Sequence, residues 1–135
     1  MLLVDDDRAD ADMVKIGIKR KEIPFDLHHV DRGNKAISFL RKEGEYQDSP
    51  TPHLVLLDLK MPIVTGFDVL TEVKGDDSLS RIPIIVWTGS EHPKDISLAY
   101  SLKANSYISK PDSPNEFFNA LDLIYRYWIG LSLLS

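Results

Sequence analysis

The chain has 135 residues, 43% hydrophobic and 27% charged, which predicts one globular domain with a core of its own. A formal net charge of −5 argues against direct nucleic-acid binding, and the absence of cysteine excludes disulfides, thiol catalysis and zinc–thiolate sites. No apolar run approaches the roughly 20 residues of a membrane span, and the N-terminus, MLLVDDD, is too short and acidic for a signal peptide. We therefore expect a single cytoplasmic domain over residues 1–135, without a membrane partner.

Short apolar segments alternate along the chain with segments of helical periodicity. The predicted strands cover residues 1–4, 25–30, 54–57, 82–87 and 106–109. The predicted helices begin after Asp7, at Gly33, after Gly66, at Pro93 and after Ser113, and the last extends to about Leu131. Asp7 and Ser113 are candidate N-caps, and Pro114 and Glu116 follow Ser113 as in a capping box.

Strict alternation of five strands and five helices predicts an α/β fold, a doubly wound five-stranded parallel sheet. Such sheets place ligands beyond the carboxyl ends of their strands, near the topological switch point. Four predicted strands end in polar groups: Asp5 with Asp6, then Asp58, Thr88 and Lys110. Each alone is compatible with a cap or a loop residue, but together they predict a site.

The chemistry of this group of residues indicates phosphoryl transfer. Three carboxylates at one edge repel, and a hard cation such as Mg²⁺ removes the conflict while binding phosphate oxygens. Asp58 is the natural nucleophile, because a carboxylate is already ionised at neutral pH. Lys110 and Thr88 would bind the remaining phosphoryl oxygens.

The motifs LLVDDD, VLLDLKMPIVTG, IIVWTG and YISKP resemble those of the response-regulator receiver family, over nearly the whole chain. The intervals of 30 residues from Asp58 to Thr88 and 22 from Thr88 to Lys110 agree with that family. The resemblance implies the flavodoxin-like (βα)5 receiver fold with strand order 2-1-3-4-5. It also implies a sensor histidine kinase as the partner that phosphorylates the chain.

The same resemblance implies a role for each site residue. Asp58 would accept the phosphoryl group, with Asp6, Asp5 (often through water) and the backbone carbonyl of Lys60 serving Mg²⁺, or Mn²⁺ in its place. Thr88 and Tyr107 would be paired switch residues, and Lys110 would contact the phosphoryl group. Ser90 and the Lys60 side chain would flank the site and tune dephosphorylation. The Lys110–Pro111 bond would be cis, which few X–Pro bonds are.

The segment EGEYQDSPTPHL and the aromatic sequence YRYW are also similar to the small single-domain regulators associated with bacterial phytochromes. A phytochrome is therefore a candidate for the partner kinase. The expected protein is a phosphoacceptor in signalling rather than an enzyme.

Three other interpretations share parts of this pattern. A haloacid-dehalogenase-type phosphatase would need a second Asp two residues after the nucleophile, where this chain has Lys60. A flavodoxin-like FMN carrier conflicts with Asp5, Asp6 and Asp7, which would repel a phosphate. A degenerate receiver that only docks or dimerises stays open, and Lys60 is the residue that favours it, because its cation could compete with the metal.

A chain of this length leaves no room for an output domain, so signalling is expected through a surface that changes on phosphorylation. The last helix is unusually apolar, and its residues explain either a wide core-facing stripe or a homodimer interface through the fourth and fifth helices. The aromatic and aliphatic residues concerned extend from Phe117 to Leu134, with Tyr125 and Trp128 as candidate anchors.

Overall fold

The structure is a computed structural model, and it describes residues 1–131. Its strands are β1 (Leu2–Val4), β2 (His28–Val30), β3 (Val55–Leu57), β4 (Ile84–Thr88) and β5 (Ser106–Ser109). Its helices are α1 (Arg8–Arg20), α2 (Gly33–Arg41), α3 (Gly66–Lys74), α4 (Pro93–Ser101) and α5 (Pro114–Tyr125). A 3₁₀ turn at Gly44–Tyr46 follows α2, and a π-helical turn at Arg126–Leu131 extends α5.

The five strands form one parallel sheet in the order β2-β1-β3-β4-β5. This confirms the predicted doubly wound fold and its strand order. The reversal of winding falls beside β1 and β3, so the residues that follow these two strands come together at one edge.

The sheet is covered on both faces, because alternate strand residues point to opposite sides. One core lies under α2, α3 and α4 and takes its sheet residues from Leu2, Val4, Val55, Leu57, Ile84 and Val86. The other lies under α1 and α5 and takes Leu3, Leu56, Ile85 and Trp87. Burial on both faces explains why these strands are continuous apolar runs.

Local capping signals identified the helix starts correctly. Asp7 caps α1 by accepting a hydrogen bond from the Asp10 N–H at 3.1 Å. Ser113 caps α5 by accepting one from the Glu116 N–H at 3.2 Å. In each case the side-chain oxygen satisfies a donor that the helix itself leaves free.

Two predicted strands, β2 and β4, begin two or three residues later than expected. The Phe25 N–H is used in a turn to the Ile23 carbonyl at 2.8 Å, so pairing of β2 begins only at His28. Pro83 has no N–H to give to a ladder, and the Ile82 N–H bonds to the Leu79 carbonyl at 3.0 Å, so β4 begins at Ile84.

The apolar residues of the last helix divide between core and surface. Phe117, Phe118, Leu121 and Ile124 are buried under the sheet, as a core-facing stripe requires. Tyr125 and Trp128 are partly buried against the same core, and the Tyr125 ring meets Phe25 edge-on at 5.2 Å. The α-helix ends at Tyr125 rather than near Leu131. Leu134, included in the predicted dimer surface, lies outside the described residues.

In the part of the chain that the structure describes, no helix is long and apolar enough to cross a membrane.

Candidate functional site

Backbone hydrogen bonds that continue the sheet hold the predicted site residues beyond the strand ends. The Asp58 N–H donates to the Val4 carbonyl at 2.9 Å, which places Asp58 directly after β3 and beside the end of β1. The Lys110 N–H donates to the Thr88 carbonyl at 2.8 Å and so joins the ends of β4 and β5. The rigid sheet, rather than a loop, therefore sets the position of the site.

Asp5, Asp6 and Asp58 converge as predicted, each offering a carboxylate oxygen within 4.8 Å of the others. Asp5 and Asp58 are buried, whereas Asp6 is exposed. Burial raises the pKa of the Asp5 carboxyl to about 6, although the hydrogen bond from Lys110 opposes this rise. Three hard oxygen donors at this spacing fit a small divalent cation and would suit neither zinc–thiolate nor haem chemistry.

Lys110 lies at the centre of the carboxylate group. Its Nζ is 2.7 Å from Asp5 Oδ2, 2.8 Å from Asp10 Oδ2 and 3.2 Å from Asp58 Oδ2. Burial by itself would lower the pKa of the Lys110 ammonium, but the hydrogen bonds to Asp10 and Asp5 outweigh burial and raise it above its ordinary value. The ammonium is therefore charged and directly beside Asp58.

Asp10 belongs to this group, a role that the sequence did not predict. It lies in the first turn of α1, three residues after the N-cap Asp7. What the sequence could not supply was Lys110 at the other end of the chain, 100 residues away.

Thr88 is buried at the end of β4, and its hydroxyl oxygen faces the Ser90 N–H at 3.5 Å. The Tyr107 hydroxyl donates to the Ser90 carbonyl at 2.8 Å. The Ser90 hydroxyl donates in turn to Asp95 Oδ2 at 2.6 Å. Ser90 thus connects the two predicted switch residues through one short backbone segment.

The Lys60 side chain is exposed, and its backbone N–H donates to Asp58 Oδ1 at 3.4 Å. Lys60 makes no ion pair with the three carboxylates in the described structure. The Lys60 ammonium therefore does not occupy the carboxylate site in this structure, and the lysine that contacts Asp5 and Asp58 is Lys110.

The loop between β3 and α3 returns tightly to Asp58. The Gly66 N–H donates to the Leu59 carbonyl at 3.0 Å, and a Cβ at Gly66 would lie 2.3 Å from the Asp58 carbonyl oxygen. At the tip of this loop Ile63 has a φ of 67° and is 95% exposed. The loop supports Asp58 by close backbone contact that only glycine permits.

The predicted cis bond before Pro111 is wrong, because no peptide bond within residues 1–131 is cis. Trans is the default for an X–Pro bond by about 0.5–1 kcal/mol, so cis requires contacts that favour it. Here Lys110 makes both its backbone bond to Thr88 and its three carboxylate contacts with a trans bond.

The sequence matches the response regulator receiver domain over residues 1–122. It is 36% identical to "Response regulator Rcp1" of Synechocystis sp., over 96% of this chain and 88% of that protein. The structure resembles the Mn(2+)-bound form of Rcp1 with a TM-score of 0.90, 36% identity, and coverage of 99% of this chain and 96% of that chain. It also resembles the phosphorylated cyanobacterial phytochrome response regulator RcpA, with a TM-score of 0.93, 34% identity, and coverage of 98% and 95%.

Proposed function

This chain belongs to the response regulator receiver domain family, and we propose that it is phosphorylated on Asp58 by a sensor histidine kinase. The observation that carries the assignment is the placement of Asp58. Its carboxylate lies at the end of β3, 3.2 Å from the Lys110 ammonium and within 4.8 Å of two further carboxylates.

The reaction needs little from the protein beyond position and charge. An oxygen of the ionised Asp58 carboxylate forms a new O–P bond as the N–P bond of the donor phosphohistidine breaks. The donor imidazole nitrogen keeps the bonding electron pair. Lys110 is placed to bind one phosphoryl oxygen, and Thr88 supplies a hydroxyl for another. The chain is thus a phosphoacceptor in signalling and not an enzyme with a separate substrate.

We propose Mg²⁺ as the resident cation, with Mn²⁺ as an alternative. Asp6, Asp58 and the backbone carbonyl of Lys60 would hold it directly, and Asp5 through water or directly. When bound, the cation would neutralise negative charge on the phosphoryl oxygens. The Mn(2+)-bound form of the relative Rcp1 supports a divalent ion here.

Thr88 and Tyr107 are proposed to convert phosphorylation into a surface change. A phosphoryl oxygen that draws the Thr88 hydroxyl would alter the β4–α4 segment, where the Tyr107 hydroxyl bonds to Ser90. Tyr107 lies on β5 and packs on the side of the sheet that α4 covers, where its N–H donates to the Tyr100 hydroxyl. Two arrangements of this ring would bias that face without a large backbone shift.

A phytochrome is the proposed type of kinase, supported by the similarity to RcpA, which is a phytochrome response regulator. We also propose that residues 1–135 act as a single receiver domain, located in the cytoplasm.

A homodimer through the α4–β5–α5 face is proposed as the signalling assembly. Four exposed apolar side chains mark this face: Leu98, Tyr100, Leu123 and Tyr127. A groove of about 310 Å³ between β5 and α5 lies beside Leu123 and Tyr127. A second copy fits best, because two such faces would cover one another's apolar surface.

The assignment of Asp58 is tested by incubation with acetyl phosphate and Mg²⁺, followed by intact mass. The wild type should gain one acid-labile phosphoryl group, and Asp58→Asn should gain none. Equal labelling of both proteins would refute Asp58 as the acceptor. A wild type that binds a kinase but never labels would instead support the docking-only receiver.

The metal requirement has its own measurement. Labelling of the wild type should be lost in EDTA and restored by Mg²⁺ or Mn²⁺. Asp6→Ala should remove most activity together with this dependence, because it deletes a direct ligand. Asp12→Ala, an exposed acid on α1, is the control for the loss of one negative charge. Full labelling in EDTA would exclude the cation from the reaction.

A further inference from the structure

The Lys110 ammonium has three N–H donors, and each has a carboxylate within hydrogen-bond distance. Asp5 at 2.7 Å and Asp58 at 3.2 Å follow strands and belong to the proposed site. The third, Asp10 at 2.8 Å, comes from the first turn of α1. Asp10 is not among the carboxylates whose oxygens cluster within 4.8 Å as candidate metal ligands. Among residues 1–131, the hydrogen-bond partner of its side chain is Lys110 alone.

We propose that Asp10 is a positioning residue that restrains Lys110 and thereby slows phosphorylation of Asp58. The inference rests on the proposed function and adds a regulatory group to the same site. Asp10 touches neither the phosphoryl donor nor the metal, and acts through the lysine.

All three N–H donors of Lys110 are already in use. Phosphorylation brings new acceptor oxygens next to Asp58, but an ammonium with three occupied donors has none to spare. One carboxylate has to give up or share its hydrogen bond from Lys110 before an N–H of the ammonium can bind a phosphoryl oxygen.

Burial selects which carboxylate gives way. The Asp5 side chain is fully buried, so separating it from Lys110 would leave a charge without water. The Asp10 side chain is 35% exposed and can be hydrated once released. Asp58 is the reacting carboxylate itself, so of the two other partners of Lys110 Asp10 is the exchangeable one, and its attraction for Lys110 opposes the transfer.

The negative charge of Asp10 slows phosphorylation in the same way as its hydrogen bond to Lys110 does. Asp5, Asp10 and Asp58 contact the single ammonium of Lys110, and Asp6 offers an oxygen within 4.8 Å of those of Asp5 and Asp58, so a phosphoryl oxygen competes with several carboxylates for one positive charge. Asp10 is not one of the candidate metal ligands, so its negative charge acts on the site through Lys110. Replacement by asparagine keeps the size and one acceptor oxygen of the side chain, and exchanges the charged second oxygen for a neutral NH₂ donor.

The test follows phosphorylation by acetyl phosphate and Mg²⁺, with intact mass read over time after acid quenching. In this reaction the Asp58 oxygen forms the O–P bond, and the P–O bond to the acetyl group breaks with its electron pair on acetate. Asp10→Asn should label about fivefold faster than the wild type, the size expected of one partly exposed ion pair. Asp12→Asn, the same charge change at an exposed position of α1, should label at the wild-type rate.

A double-mutant cycle shows whether Asp10 acts through the lysine. Lys110→Met should be slow, and Asp10→Asn added to it should give no further acceleration. A structural role for Asp10 would not produce this dependence on Lys110. Thermal unfolding of each variant verifies that all four proteins are folded.

Each result has one meaning. Acceleration by Asp10→Asn alone, lost in the Lys110→Met background, supports the restraint. Equal acceleration by Asp12→Asn would reduce the effect to general charge and overturn the proposal. An unchanged or slower Asp10→Asn would also overturn it. Loss of labelling in the wild type would contradict the proposed function itself.

Discussion

Ile63 has a φ of 67°, and β-branched residues are rare in this left-handed region. The Val64 N–H donates to the Pro62 carbonyl at 2.8 Å, so the hydrogen bond spans Ile63 as in a γ-turn. The side chain is 95% exposed and makes no packing contribution that could offset the backbone strain. The strain is held in place by the loop closure at Gly66.

Replacement of Ile63 by glycine should relieve this backbone strain. Ile63→Gly should raise the free energy of unfolding by about 1 kcal/mol, because glycine adopts positive φ without a Cβ clash. Urea denaturation at constant pH measures the change. Ile63→Ala keeps the strain and removes the exposed apolar surface, so it should differ little from the wild type. A stabilised alanine variant and an unchanged glycine variant would contradict this account.

The Lys110 ammonium lies between the carboxylates of Asp5, Asp10 and Asp58. Three strong contacts fix its ammonium while the Lys60 ammonium, two residues after Asp58, points to solvent. Two lysines near the same carboxylate thus have different roles, and their neighbours in space decide which binds it.

Among the elements, the start of α3 supports the end of β3. Thr65 caps α3 with a complete capping box, in which its hydroxyl accepts from the Asp68 N–H at 3.2 Å. Gly66, the first residue of α3, packs against the Asp58 backbone. Helix and strand therefore approach as closely as backbone atoms allow.

Gly66→Ala should disturb both stability and function. Its Cβ would lie 2.3 Å from the Asp58 carbonyl and 2.6 Å from Leu59 Cα, and backbone atoms cannot move aside cheaply. We expect a loss of about 2 kcal/mol or more in unfolding free energy, as for other overpacked sites, together with slower labelling by acetyl phosphate. Gly89→Ala is the matched control, because a Cβ there meets nothing within 4 Å. Similar effects of both variants would contradict the close-contact explanation.

In the monomer, apolar side chains on the outer side of α5 and of the turn that follows it are exposed to solvent. Leu123 and Tyr127 are 65% and 53% exposed. Tyr125 and Trp128, the anchors expected from sequence, pack instead against their own core. We therefore place the proposed dimer contact at the outward-facing residues Leu123 and Tyr127 instead of at Tyr125 and Trp128.

The dimer prediction is measured by sedimentation velocity, with and without beryllofluoride as a phosphoryl mimic. The wild type should associate, and the mimic should change the association constant. Leu123→Glu should weaken association at least tenfold, because it places a charge in an apolar contact. Ile16→Glu, on α1 and 44% exposed, should leave it unchanged. A folded wild type that stays monomeric at high micromolar concentration in both states would contradict the dimer.

The fold class, the strand order implied by the motifs and the five polar residues at the strand ends could all be predicted from the sequence. These follow from local signals: apolar runs of strand length, caps such as Asp7 and Ser113, and a carboxylate, Asp58, that directly follows a buried strand. Strand boundaries were less exact, since the turn at Phe25 and the missing N–H of Pro83 matter only once neighbouring strands are paired.

Which carboxylates contact Lys110 became clear only from the folded chain. Asp10 and Lys110 are 100 residues apart, and nothing local to either predicts their contact at 2.8 Å. The trans bond at Pro111 and the inward packing of Trp128 are likewise outcomes of packing. The physical reason is the same in each case: small differences in energy are settled by neighbours that folding brings together from distant parts of the chain.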